Sequence, residues 1–168
     1  MRNLFKSLVI EENPDGSFSS SIKKKSVEDL PIGELLIKVS YSSLNYKDAL
    51  SISGNKGVTK SYPHTPGIDA VGIVEHSATE KFKIGDEVIV SGFDLGMNTS
   101  GGFGQYIRVP NKWACHLPNG LSALDSMVIG TAGLTAGLSA YELKKLNGIE
   151  GREAVITGAT GGVGTFAI

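Results

Sequence analysis

"REAVITGATGGVGTFAI", residues 152–168, sets an apolar run directly before a glycine-rich turn and the start of a second apolar segment. The pattern predicts a buried strand over Glu153–Thr157, a turn, and a helix opening at "TFAI". A strand, a glycine turn and a helix N-terminus together aim bare backbone N–H groups at a pyrophosphate. Glycine allows the approach because no Cβ stands in the way. Ala159, Gly161 and Gly164 fill the three places of G-x-G-x-x-G, with Gly162 additional. Thr160, Gly161, Gly162, Val163 and Gly164 are therefore candidate cofactor-binding residues, although glycine also serves tight turns that bind nothing. The residue that would read the ribose lies about 20 positions further on. The stretch by itself does not distinguish NAD from NADP, and it reads as the opening of a nucleotide-binding unit.

Immediately upstream, "SALDSMVI" starts with a serine cap and has Asp125 in its first turn, so it reads as a short helix. "TAGLTAGLSAYELKKLNG" reads as a longer helix, with Lys144 and Lys145 near its end and Gly148 as its stop. Its early part is small-sided, through Ala132, Gly133, Ala136, Gly137 and Ala140. Glycine inside a helix costs up to about 1 kcal/mol against alanine, and small residues at this spacing let another backbone come close.

Before Leu121 the chain reads as β structure. "LFKSLVIEE" ends at the turn Asn13-Pro14-Asp15-Gly16, with "SFSSSIKKKS" as its hairpin partner. "GELLIKVSYSSLN" is the clearest strand, with Leu35, Ile37, Val39 and Tyr41 on one face. "YKDALSISG" offers a helical turn; "PGIDAVGIVEHS", "FKIGDEVIVSG", "GGFGQYIRVP" and "WACHLP" offer further strands. Many short strands separated by glycine turns predict a small barrel or sandwich.

Composition narrows the function classes. A formal net charge of -1 argues against a protein that neutralises a phosphate backbone. The run Lys23–Lys25 reads as a solvated strand edge rather than a nucleic-acid patch. One cysteine, Cys115, rules out an internal disulfide and fits a reducing, cytoplasmic setting. No window approaches the roughly 18 apolar residues of a membrane span.

The pieces "SSLNYKDALSISG", "TPGIDAVGIV", "KIGDEVIV", "GGFGQYIRVP", "IGTAGLTAGLSA" and "VITGATGGVG" occur in this order. Together they resemble the medium-chain dehydrogenase/reductase superfamily, in its zinc-independent quinone-oxidoreductase branch and the acrylyl-CoA reductase-like subgroup. The resemblance implies a mixed α/β fold: a GroES-like β-barrel catalytic domain over 1–121, then the truncated start of a Rossmann NADP-binding domain over 122–168. It implies NADPH as cofactor, an enoyl-CoA or quinone as small-molecule substrate, and a cytoplasmic homodimer in the full-length form. It puts Thr131 and Thr135 near the nicotinamide half of the cofactor, with Tyr46 on the nicotinamide side. It puts Asn45, Asp48 and Asp69 in the active-site cleft.

Zinc relatives in that superfamily use a Cys, a His-Glu pair and a second Cys; the matching positions here are Asn45 and Ile68-Asp69. With one cysteine a Cys₄ site is impossible, so no metal is expected. Reduction of an activated C=C bond needs a hydride, a proton and a donor for the enolate oxygen. Tyr46 can donate a proton or hydrogen bond, Asp48 can orient a neighbour, and Asp69 lies among apolar residues where a carboxylate needs partners. The rival expectation is a truncated β-barrel fragment with no working cofactor site and no catalysis.

Overall fold

The computed structural model describes residues 4–146 and 151–168. The chain forms two compact units, Met1–Val128 and Ile129–Ile168.

The first unit is antiparallel β structure. β1 (Leu4–Glu12) and β2 (Phe18–Ser26) make the expected hairpin. β3 (Leu35–Tyr41), β4 (Asp69–Ser77), β5 (Glu87–Ser91), β6 (Tyr106–Val109) and β7 (Ala114–His116) make one sheet in the order β6-β3-β4-β5-β7. Single bridges, Ser7 to Gly104 and Ile10 to His64, join the hairpin to the rest. Alternation on β3 follows the sequence pattern: Leu35 and Ile37 are buried and Lys38 is exposed. Those two join Val74, Val88, Ile107 and Val109 in the main apolar core. Each such side chain contributes about 1.5–3 kcal/mol on burial. One α-helix, α1 (Tyr46–Ile52), and two short 3₁₀ turns interrupt the described strands.

α2 (Ala123–Lys145) is broken at Gly130, whose φ of 48° and ψ of -159° are not helical. The break matches the reading of a short helix followed by a longer one. The expected stop at Gly148 lies outside the described residues. α3 (Gly162–Ala167) follows the glycine turn as expected.

The strand expected over Glu153–Thr157 does not form. Residues 152–156 have no ladder, and Val155 is 93% exposed. A strand exists through hydrogen bonds to a neighbour, and the described residues of the second unit contain no other strand to pair with. No described helix is long and apolar enough to cross a membrane.

Candidate active site

Three pieces of the first unit converge on Asp69. β3 ends and the chain runs through Ser42, Ser43 and Asn45 into α1; β4 begins at Asp69; β5 ends at Ser91, the ladder partner of Asp69. The Asp69 side chain is fully buried. Its Oδ2 accepts from Ser43 Oγ at 2.5 Å and from Asn45 Nδ2 at 2.9 Å, and its Oδ1 accepts from Ser91 Oγ. Ser42 Oγ donates to the Asp69 carbonyl at 2.6 Å. Asn45 Nδ2 also donates to Ser43 Oγ at 3.0 Å. These donors make burial of the carboxylate tolerable.

Asp48 lies beside this cluster, in the first turn of α1, and is also buried. Its Oδ2 accepts from the Asn45 amide at 2.8 Å. Its Oδ1 accepts from the amides of Gly67 and Ile68, each at 3.0 Å. Asp48 thus ties the start of α1 to the chain entering β4, and so fixes Asn45 relative to Asp69. Burial pushes its carboxyl above the usual range; the three backbone donors oppose this and the nearby Asp69 adds to it. Gly67 allows the close approach: its φ is +109°, and a Cβ there would meet the Gly102 and Phe103 amides at 2.6 Å.

Asn45, Asp48 and Asp69 are therefore brought together: Asn45 Nδ2 donates to Asp69, which Ser43 and Ser91 also serve, and Asp48 is taken up by the backbone amides of Asn45, Gly67 and Ile68. Tyr46 is next to them in sequence but 80% exposed. Leu44 and Phe93 are exposed as well, Phe93 stacked on Trp113 at 5.4 Å. Ser43 and Ser91 were not among the sequence candidates. The available signals were a serine pair closing a strand and a serine ending the apolar run "VIV".

In the second unit the turn tightens at Gly158, with φ +64°, and the Gly161 amide donates to its carbonyl at 2.9 Å. The first helical bond of α3 runs from the Thr165 amide to the Gly161 carbonyl. The amides of Gly162, Val163 and Gly164 precede it, the position in which a helix leaves N–H groups for other partners. A Cβ on Gly164 would lie 2.1 Å from the Gly158 carbonyl oxygen, whereas one on Gly161 would meet that oxygen at 3.3 Å. Thr160 to Val163 are exposed. Thr135 is exposed and its hydroxyl donates to the Thr131 carbonyl at 2.7 Å, one turn earlier.

Among the described residues, no three His, Cys, Asp or Glu side chains gather as a metal-ligand set. His64 is buried with Nε2 on the Gly96 carbonyl at 2.9 Å; Cys115 and His116 are exposed on β7.

In chain order, an antiparallel β unit is followed by a unit that carries the glycine turn. Residues 31–119 match the alcohol dehydrogenase GroES-like domain, and the chain belongs to that family, within the medium-chain dehydrogenase/reductase superfamily. Among individual proteins, it is 44% identical over 170 residues to Bacillus subtilis YhfP, which carries the name of a quinone oxidoreductase, across 100% of this chain and 51% of that one. It is 40% identical over 166 residues to acrylyl-CoA reductase AcuI of Ruegeria pomeroyi, across 98% of this chain and 50% of that one. The yhdH oxidoreductase of Salmonella enterica, solved in complex with NADP, matches with a TM-score of 0.91 at 41% identity, over 96% of this chain and 50% of that one. The chain thus spans about half the length of the relatives it matches.

Proposed function

We propose that the whole protein is an NADPH-dependent oxidoreductase that reduces the C=C bond of an enoyl thioester of the acrylyl-CoA type, without a catalytic zinc. The observation that carries this reading is the 40% identity to an acrylyl-CoA reductase over 98% of the chain. Likeness to a structure solved with NADP supports the cofactor. NADPH, when bound, supplies the hydride.

This chain's residues divide the remaining work. The exposed turn and the amides of Gly162, Val163 and Gly164 suit a pyrophosphate, with Thr160 and Gly161 beside them. Tyr46, Thr131 and Thr135 are assigned to the nicotinamide side. Asn45 faces the substrate site, Asp69 holds it from beneath, and Asp48 positions both. Because the two carboxylates are buried and already hydrogen-bonded within the fold, the exposed Tyr46 is the candidate donor to the enolate oxygen. The positions that match zinc ligands in the superfamily hold Asn45 and Ile68-Asp69, and Asn45 and Asp69 bond to each other.

The test is NADPH consumption by the full-length protein, followed by absorbance with acrylyl-CoA and, separately, with a quinone. Turnover of acrylyl-CoA well above that of the quinone is expected. Quinone turnover alone would sink the thioester reading and favour the second one, quinone reduction, for which the name of the Bacillus subtilis relative speaks.

A further inference from the structure

An open groove of about 550 Å³ runs along the first unit between the β1–β2 hairpin and β3, within the usual range for ligand sites. Residues 102–105 are its floor, and their hydrogen bonds fix its two ends. At one end Gly102 packs so closely on β4 that a Cβ would stand 2.6 Å from the Asp69 carbonyl oxygen and 2.7 Å from Ser42 Oγ. Tyr41, which also lines the groove, is the ladder partner of Val71, two residues from Asp69 and on its side of β4. At the other end the Gln105 amide donates to the Lys6 carbonyl at 3.0 Å. Three residue steps separate the two ends, at most roughly 10 Å of chain.

The far end is cationic. Among the described residues of the lining, Lys6 alone is charged. Its direct cross-strand partner is Lys24, and the next outward pair is Leu8 with Ile22. Both lysines are exposed, and among the described residues neither forms an ion pair, although Lys23 beside them pairs with Glu11. Like charges placed directly opposite on a ladder are unfavourable. An anion at this end of the groove would relieve them.

We propose that this groove seats the carrier arm of an acyl-thioester substrate, with its apolar stretch over Leu8, Ile22 and Tyr41 and its phosphates at Lys6 and Lys24. The inference rests on the enoyl-thioester reading above and deepens it. A quinone, with no phosphate and no arm, has no use for the lysine pair.

Two measurements on the full-length protein separate the claims. Calorimetric titration with free coenzyme A tests the groove without any turnover. The wild type should bind, and the double variant Lys6→Glu/Lys24→Glu should bind at least about tenfold more weakly, while Lys83→Glu, outside the groove, should not. Equal binding by wild type and double variant, or no binding by the wild type, overturns the proposal. The second measurement compares kcat/KM for acrylyl-CoA with that for the truncated N-acetylcysteamine thioester. The double variant should lose about tenfold of the preference for the CoA ester, through KM; a preserved preference counts against the groove. Coenzyme A binding that the lysine variant weakens, with no reduction of either ester, would leave the groove standing and remove the proposed reaction.

Discussion

The Asn45 side-chain amide donates to the buried Asp69 carboxylate, Nδ2 to Oδ2, at 2.9 Å. A carboxylate oxygen only accepts, so the contact decides which end of the Asn45 amide faces inward. Ser43 and Ser91 complete the same carboxylate.

Replacing Asp69 with Asn keeps the shape but turns one acceptor into a donor that faces donors. We predict a loss of about 1–3 kcal/mol in unfolding free energy, the cost of buried groups left unmatched. Trp113, the sole tryptophan, lies in the first unit and reports its unfolding in urea by fluorescence. Turnover of the full-length enzyme should fall as well. An unmoved urea midpoint with wild-type turnover would remove Asp69 from both structure and site.

Asp48 should behave differently. Asp48→Ala leaves three amides without their acceptor, those of Gly67 and Ile68 buried and that of Asn45 partly buried, and at least about 2 kcal/mol of stability should go with them. Its titration carries a further signature. Its pKa is raised in the folded protein, mainly by burial, above the ordinary 3.8. The stability linked to its proton is therefore full below 3.8 and lost as pH rises through the folded value. Asp48→Asn, which cannot ionise, should flatten the fall in stability just above pH 4 (roughly the ordinary carboxylate range). A variant with the wild-type pH slope would show that Asp48 does not titrate there.

Much of this arrangement was legible locally. The hairpin at Asn13–Gly16, the alternation of β3, and the helical turn after Asn45 depend on neighbours within a few residues, and they form as read. Asp69 was legible as a costly carboxylate among apolar residues. Its partners were not, because Ser43 and Ser91 lie 26 and 22 residues away: the β4–β5 register sets Ser91 opposite Asp69, and the chain leaving β3 for α1 carries Ser43 to it. The misread segment, Glu153–Thr157, fails for a related reason. An apolar run states that a strand would be stable if paired, and pairing is a property of another segment. Gly130 falls between the two helices expected from the sequence, and its positive φ is the device that makes the break.

His64 provides a pH test in the opposite direction. It is buried, its Nε2 meets the Gly96 carbonyl, and its backbone exchanges hydrogen bonds with Ile10 at 2.8 and 2.9 Å. Burial first, and then the charge of Lys25, hold its pKa below the ordinary 6.5, against the Gly96 bond and Asp94. The unfolded chain thus takes up a proton near pH 6.5 while the folded one does not. Stability is full above 6.5 and declines as pH falls, by up to about 1.4 kcal/mol per unit until the folded group also protonates. Urea midpoints followed through Trp113 between roughly pH 5 and 8 should show the decline. His64→Gln should flatten it even if its overall stability is lower. A slope unchanged by that substitution would place the acid sensitivity elsewhere.

The glycine turn allows the cofactor assignment to be tested by two substitutions of the same size. At Gly164 a methyl group would stand 2.1 Å from the Gly158 carbonyl oxygen, so the turn itself must open. At Gly161 the nearest atom is 3.3 Å away, and the residue's φ of -80° suits alanine. The turn at Gly161 can therefore keep its form with only a small shift of that carbonyl. Any loss there must come mainly from crowding a ligand, since glycine leaves room for close approach of a pyrophosphate. In the full-length protein, Gly161→Ala should weaken NADPH binding at least about tenfold with little change in melting temperature. Gly164→Ala should weaken binding and lower the melting temperature together. The readouts are NADPH fluorescence titration and thermal unfolding of the same samples. The same titration on the 168-residue chain addresses the rival reading of a fragment without a working site. Its described second unit offers α3 and the turn but no parallel strand beside residues 152–156, and α3 has six residues, too few to hold a helix on their own. Binding by this chain should therefore be weak or absent. NADPH binding unchanged by Gly161→Ala in the full-length protein would show that the turn is structural and that the phosphates are held elsewhere.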